Sequence, residues 1–128
     1  MSYYIAKKLN VTFEDAILKV TDELKKEGFG IISEIDIQDK LKEKLNIDFR
    51  KYKILGACNP PFAYEALQNE DKIGTMLPCN IIVQEHGEKN IEIAAINPSV
   101  SMQGVDNPKL GDLASKIKDK LEKVVQAL

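Results

Sequence analysis

The chain has 128 residues with a formal net charge of −2, and 44% of its residues are hydrophobic and 30% charged. A chain of this length forms one domain, expected over residues 1–128, that buries its core without disulfides or metal. A net charge near zero gives no excess of positive charge that would indicate binding to nucleic acid or to a membrane surface. No apolar run reaches the length of a membrane-spanning helix. Partners of these two classes are therefore not expected.

The N-terminal residues 1–8 and the cysteine content bear on location. Residues 1–8 contain two tyrosines and two lysines and lack the apolar core and cleavage pattern of a signal peptide. A cytoplasmic location is therefore expected. In that reducing compartment Cys58 and Cys79, the only cysteines, are expected to be free thiols rather than a structural disulfide.

The first part of the chain alternates strand and helix patterns. Alternating apolar residues over 3–9 predict a strand. Thr12 is a suitable N-cap and Gly28 a suitable stop for the helix predicted between them. Isoleucines within 30–36 indicate a second strand. Apolar residues repeating every four positions over 37–45 predict a second helix.

The central stretch predicts a strand, a helix, a loop and a strand. The apolar run over 52–57 predicts the third strand. Asn59 occupies an N-cap position, where its side-chain oxygen can accept from a free backbone N–H. Pro60 suits the first position of the short helix that follows. After a loop over 69–77, a fourth strand is predicted over 80–84.

The remainder predicts a hairpin, a loop and a long helix. Residues 91–96 predict a fifth strand, antiparallel to the fourth because a polar turn over 85–89 joins them. Residues 99–107 show no strong preference, and the apolar stripe over 108–128 predicts a final helix that covers the sheet. The order βαβαβαββα predicts an α+β two-layer sandwich: one mainly antiparallel five-stranded sheet with helices chiefly on one face.

The two thiols lie at the two junctions of the central stretch. Cys58 is expected to end one strand and Cys79 to begin the next. If these strands are antiparallel neighbours, the thiols share an edge of the sheet; if they are parallel, the thiols lie at opposite ends. The length of the 69–77 connection favours the first arrangement, with the two Cα atoms within about 10 Å, although a disulfide would need less than about 7 Å.

The reactivity of the two thiols is expected to differ. Cys58 directly precedes a predicted helix N-terminus, whose partial positive charge favours a thiolate. Cys79 begins an apolar strand. Cys58 is therefore predicted to be the more reactive of the two.

Two sequence blocks, I-L-G-A-C-N-P-P-F-A over 54–63 and L-P-C-N-I-I-V-Q-E over 77–85, resemble the signature of the domain-of-unknown-function 302 (DUF302) family. The resemblance extends over essentially the whole chain, with its helix-first layout and long final helix. It implies a small two-layer α+β domain that is often found as a homodimer. It implies no activity, substrate, cofactor or catalytic residue.

The junctions are the candidate binding site of the chain. Asn59 and Asn80 offer amides and the thiols offer soft reactivity, while the helix start is expected to offer free N–H groups to an anion. The first hypothesis is thus a ligand- or partner-binding domain for a small anionic or thiol-reactive ligand. The expected site residues are Cys58, Asn59, Pro60, Leu77, Pro78, Cys79 and Asn80.

Three other interpretations stay open at the level of sequence. Cys58 as nucleophile and Cys79 as resolving thiol would make a thiol redox enzyme. A purely structural homodimer would need no small-molecule site. Both cysteines are also explained as small buried hydrophobic residues. No metal is predicted, because the cysteines with His86 and Met76 do not match a zinc-ligand spacing, and no cofactor is indicated.

Overall fold

The structure is a computed structural model that describes residues 2–128, and within them it contains five strands and five α-helices. The strands are β1 (Tyr4–Leu9), β2 (Gly30–Asp36), β3 (Tyr52–Cys58), β4 (Cys79–Gly87) and β5 (Asn90–Ile96). The helices are α1 (Phe13–Lys26), α2 (Ile37–Leu45), α3 (Pro60–Asn69), α4 (Pro98–Ser101) and α5 (Pro108–Gln126), with a 3-10 helix over Asp71–Met76.

The strands form one sheet in the order β1-β5-β4-β3-β2. Every neighbouring pair is antiparallel. The predicted α+β class with a five-stranded antiparallel sheet is confirmed. The predicted β4–β5 hairpin is also confirmed.

The core lies between one face of the sheet and helices α1 and α5. Ile81, Val83 and Ile93 point from β4 and β5 into this layer and are fully buried. Val20 of α1 and Leu121 of α5 meet them, also without exposure. Burying a large aliphatic side chain stabilises the fold by about 1.5–3 kcal/mol each, so this layer holds the helices on the sheet. Among the described residues, no helix is long and apolar enough to cross a membrane.

Both ends of α1 follow the predicted local chemistry. The Thr12 side-chain oxygen accepts from the Asp15 backbone N–H at 3.1 Å, which satisfies one of the free donors of the first turn. Gly28 has a φ of +87°, a left-handed conformation that a residue with a Cβ adopts only under strain. The chain therefore leaves α1 at this glycine and enters β2.

Two segments predicted as loops contain helical turns. Within 69–77, Asp71–Met76 forms the 3-10 helix, because Ile73 turns inward and is 99% buried in the core. Within the predicted 99–107 loop, α4 ends at Ser101. Its start is fixed by Asn97, whose side-chain oxygen accepts from the Ser99 N–H. The burial of Ile73 fixes the first helical turn, and the Asn97 cap fixes the second. Both segments are too short to show a helical repeat of apolar residues in the sequence.

Candidate functional site

The pairing of β3 with β4 brings the two junctions together. Ala57 lies directly opposite Cys79, and Gly56 lies opposite Asn80. Consecutive Cα atoms are about 3.8 Å apart and opposed antiparallel Cα atoms about 4.5–5.5 Å, so the Cα atoms of Cys58 and Cys79 lie within about 9 Å. The predicted closeness of the Cα atoms of Cys58 and Cys79 is therefore confirmed, because β3 and β4 are antiparallel neighbours.

A cavity of about 330 Å³ lies where these strand ends meet α3, the 3-10 helix and α5. We call it the junction cavity. Its strand-end residues are Ala57, Cys58, Asn59, Leu77, Pro78 and Cys79. Its other walls are Phe29, Ile32, Phe62, Ala63, Ala66, Leu67, Gly74, Met102, Leu113 and Ile117. Apart from two thiols and one amide, every side chain that lines it is apolar.

Five of the seven predicted site residues line the junction cavity, and two do not. The five in its walls are Cys58, Asn59, Leu77, Pro78 and Cys79. Pro60 begins α3 with its ring exposed to solvent. Asn80 is exposed, because β4 alternates between the two faces of the sheet and its neighbours Cys79 and Ile81 point to the helix layer.

Asn59 has a different role from the one predicted. It stands at the N-cap position of α3, but its side chain makes no capping hydrogen bond. Its Nδ2 instead donates to the backbone carbonyl of Glu27 at 3.1 Å. Asn59 is 92% buried and ties the end of α1 to the start of α3. Its amide N–H is therefore committed to the fold, which the sequence prediction of a free amide did not foresee.

The start of α3 is a poor anion site, contrary to the expectation of free N–H groups. Pro60 and Pro61 occupy its first two positions, and proline has no N–H to donate. The Ala63 N–H donates to the Asn59 carbonyl at 2.9 Å. Helix N-termini bind anions through several free N–H groups. With these removed, the expected anionic ligand loses its structural basis.

The two thiols have different surroundings. Cys79 is 94% buried, and this burial, with a smaller contribution from the neighbouring Cys58, raises the pKa of its thiol to about 11. Cys58 is only half-buried. The raised pKa disfavours the thiolate of Cys79, which is the direction predicted for the relative reactivity of the pair.

The register also bears on whether these thiols can form a disulfide. Cys79 is opposed to Ala57, so Cys58 is offset from it by one residue. Successive side chains of a strand point to opposite faces, and the two Cβ vectors therefore start from opposite sides of the sheet. A disulfide needs Cβ atoms about 3.5–4.5 Å apart, which this offset opposes. Both cysteines are free.

The fold and these junctions agree with one known family. The family model described as "Domain of unknown function DUF302" matches residues 5–128. The chain belongs to the DUF302 family. A solved structure described as an uncharacterized conserved DUF302 protein from Bacillus stearothermophilus is similar, with 25% identity, a TM-score of 0.90 and coverage of 98% of both chains. None of the curated proteins matches the chain.

Sequence reasoning missed the helical half of the junction cavity in this DUF302 domain. Leu113 and Ile117 were predicted only to cover the sheet, and they do pack in the core while also reaching the cavity. Met102 follows α4 in a stretch without a recognised pattern, and it is 92% buried. The α5 periodicity could have indicated Leu113 and Ile117. No sequence signal indicated Met102, because its place depends on how α4 packs.

Proposed function

We propose that this DUF302 domain binds a small apolar ligand in the junction cavity. The observation that carries the proposal is a cavity of about 330 Å³ lined almost entirely by apolar side chains. Small-molecule sites of proteins are concave, mostly apolar and about 300–1,000 Å³ in volume. The cavity lies at the lower end of that range, which favours a compact ligand.

The lining also limits the chemistry of the ligand. No lysine or arginine lines the junction cavity, and an anion moved from water into an apolar site without a cation is strongly disfavoured. The only reactive group within reach of solvent is the half-buried Cys58 thiol. We therefore favour an uncharged ligand, with thiol-reactive compounds included, over the anionic ligand expected from the sequence.

The experiment for this proposal locates an apolar probe on the protein. N-phenyl-1-naphthylamine is uncharged, and its binding is followed by ¹⁵N–¹H chemical-shift changes at saturation. The largest changes are expected at the amides of Ala63, Leu67 and Leu113, which surround the junction cavity. Changes confined to the exposed face of the sheet, around Tyr4 and Ile35, would contradict the proposal.

A thiol redox reaction between Cys58 and Cys79 is the weaker proposal. The pair would have to pass through a disulfide, and the one-residue offset of their register opposes its geometry. The burial of Cys79 and its raised pKa also disfavour a resolving thiolate.

We also propose a cytoplasmic location for the domain, because free thiols persist in that reducing compartment.

A homodimer is a second proposal, supported by the face of the sheet opposite the helices. The pairing of the strands aligns Ile35, Ile54, Ile82, Ala94 and Ala6 in one row across all five strands of this face. Ile35 at one end of the row is 45% exposed, and Ala6 at the other end is also exposed. The outer face of an antiparallel sheet is usually polar, so a continuous apolar row favours coverage by a partner.

The charges beside this row suit a second copy of the chain. Lys8 and Glu92 are directly opposed on the same face, so the face carries both signs and two copies are not repelled. Sedimentation of Ile82→Asp is expected to give a monomer where the wild type gives a dimer. Leu18→Asp, at an exposed site on α1, is the control that should stay dimeric. A wild type that sediments as a monomer at every concentration would contradict the dimer.

A further inference from the structure

The open face of the sheet, opposite the helices, carries a groove of about 420 Å³. It extends from Tyr4 on β1 to Tyr52 on β3, across the strands β5 and β4. Ile82 and Ala94, which oppose each other on β4 and β5, form part of its floor. We call it the sheet groove. It shares no lining residue with the junction cavity and, unlike that cavity, it is lined by side chains of both charges.

Arg50 is held in place at one end of the sheet groove. Its Nε donates to Oε1 of Gln84 at 3.0 Å. Its guanidinium carbon lies 4.4 Å from the centre of the Phe49 ring and 5.7 Å from the centre of the Tyr52 ring. These contacts orient the guanidinium group and do not use its two Nη atoms. Within residues 2–128, no ion pair includes Arg50, so its positive charge is available to a ligand.

Glu92 supplies the opposite charge in the same groove. Its Oε1 accepts from Nε2 of Gln84 at 3.1 Å and lies 3.0 Å from Nε2 of His86. Lys8 is opposed to Glu92 on β1 but does not line the groove. These contacts all leave Oε2 of Glu92 unused. The side-chain amide of Gln84 is thus bonded to both Arg50 and Glu92 and holds the two charged groups apart.

We propose that the sheet groove binds a free α-amino acid with an apolar side chain, aromatic side chains included. One amide and two hydrogen bonds span the distance from Arg50 to Glu92. An α-amino acid carries its carboxylate and ammonium groups on one carbon, so it spans a similar distance with one hydrogen bond at each end. The guanidinium group suits the carboxylate because it can donate two parallel hydrogen bonds to it. The carboxylate of Glu92 suits the ammonium group, and the two charges of the site match those of the zwitterion.

The direction of the ligand side chain follows from the register of the sheet. Tyr52, Gln84 and Glu92 form one row across β3, β4 and β5. Ile82 and Ala94 lie in the next row of the same face, two residues further along each strand. A side chain attached between the two charged groups of the ligand can lie over this row. The row is apolar and the methyl group of Ala94 leaves space above it, which favours an apolar side chain over a charged one.

The sheet groove shares Ile82 and Ala94 with the apolar row proposed for the homodimer. All the groups proposed to contact the ligand belong to one chain, so binding does not require a partner. A second copy packed on this row would compete with the ligand. Binding is therefore measured at protein concentrations at which sedimentation shows a monomer.

The test is a calorimetric titration with L-phenylalanine and two analogues that each lack one charge. Hydrocinnamate lacks the ammonium group, and phenethylamine lacks the carboxylate. The wild type is expected to bind one L-phenylalanine per chain and each analogue about fivefold more weakly, the upper end for an ion pair in contact with solvent. Arg50→Gln should bind L-phenylalanine and phenethylamine equally, and Glu92→Gln should bind L-phenylalanine and hydrocinnamate equally. Lys40→Gln and Glu43→Gln remove the same charges from exposed sites on α2 and should discriminate as the wild type does.

Three results would overturn the amino-acid site. They are a wild type that does not bind L-phenylalanine, a wild type that binds hydrocinnamate equally well, and an Arg50→Gln variant that discriminates as the wild type does. The ¹⁵N–¹H chemical shifts locate the ligand: changes are expected at Gln84 and Ala94, and changes at Ala63 and Leu113 instead would also contradict the site. Binding of N-phenyl-1-naphthylamine by Arg50→Gln should be unchanged, which separates this inference from the proposed function.

Discussion

Ala57 and Cys79 face each other across the antiparallel pair of β3 and β4. This single pairing joins two junctions that are distant in sequence. It places Cys58 beside Cys79 and allows α3, which leaves β3 at Asn59, to close over the end of the sheet. The junction cavity is the space left between α3 and the strands.

Gly56 is predicted to be intolerant of a side chain. A Cβ at this position would lie 2.2 Å from the Ser33 Oγ and 2.7 Å from the Pro78 Cγ, both closer than real contacts allow. Gly56→Ala is expected to destabilise the fold by roughly 1–3 kcal/mol, the usual cost of overpacking, measured by urea denaturation. Gly30→Ala is the control, because a Cβ at Gly30 meets nothing within 4 Å. Equal midpoints for the two variants would show that Pro78 and Ser33 move aside freely.

Alkylation is predicted to be faster at Cys58 than at Cys79. Cys58 is half-buried, whereas Cys79 is 94% buried with a pKa raised to about 11, and the thiolate is the species that reacts. Iodoacetamide rates on Cys79→Ser and Cys58→Ser, compared at pH 8, measure each thiol separately. Equal alkylation rates, or a faster reaction at Cys79, would contradict the prediction that Cys58 is the more accessible and more reactive thiol.

Cys79 is also predicted to make stability depend on pH. Its pKa is raised from 9.0 to about 11 in the folded chain, so between these values the unfolded chain loses the proton first. The protonated Cys79 thiol therefore makes its full contribution to the free energy of unfolding below pH 9, and this contribution is lost as the pH rises to about 11. The loss amounts to about 2–3 kcal/mol, at 1.36 kcal/mol per pKa unit. Cys79→Ala should lack it, so the stability difference between wild type and variant should shrink over this range. A constant difference would contradict the burial of the thiol.

Leu121→Ala is predicted to cost about 2–5 kcal/mol, the usual range for a buried large-to-small change. Leu121 is fully buried between α5 and the sheet. Leu18→Ala removes the same atoms from a side chain that is 64% exposed and should change stability little. The cost at Leu121 should not depend on protein concentration, because the contact lies within one chain; a strong dependence would move it to an interface.

The sequence was sufficient for those features that depend on local chemistry. The cap at Thr12, the stop at Gly28 and the hairpin of β4 and β5 were all predictable. The role of Asn59 was not, because its hydrogen bond reaches Glu27, far away in sequence. The position of Met102 was equally hidden, because it depends on packing between α4 and α5 rather than on a repeat. The absence of N–H donors at Pro60 and Pro61, by contrast, follows from the sequence alone.

The central claim, that the junction cavity accepts a small apolar ligand, is tested most directly by filling it. Ala63 lines the cavity on α3 and is half-buried, so Ala63→Phe places a ring in the space with little strain. Glu65→Phe adds the same ring to an exposed position of the same helix. In a fluorescence titration with N-phenyl-1-naphthylamine, the wild type and Glu65→Phe should bind one probe per chain, and Ala63→Phe should lose this binding. Unchanged binding by Ala63→Phe would contradict the claim.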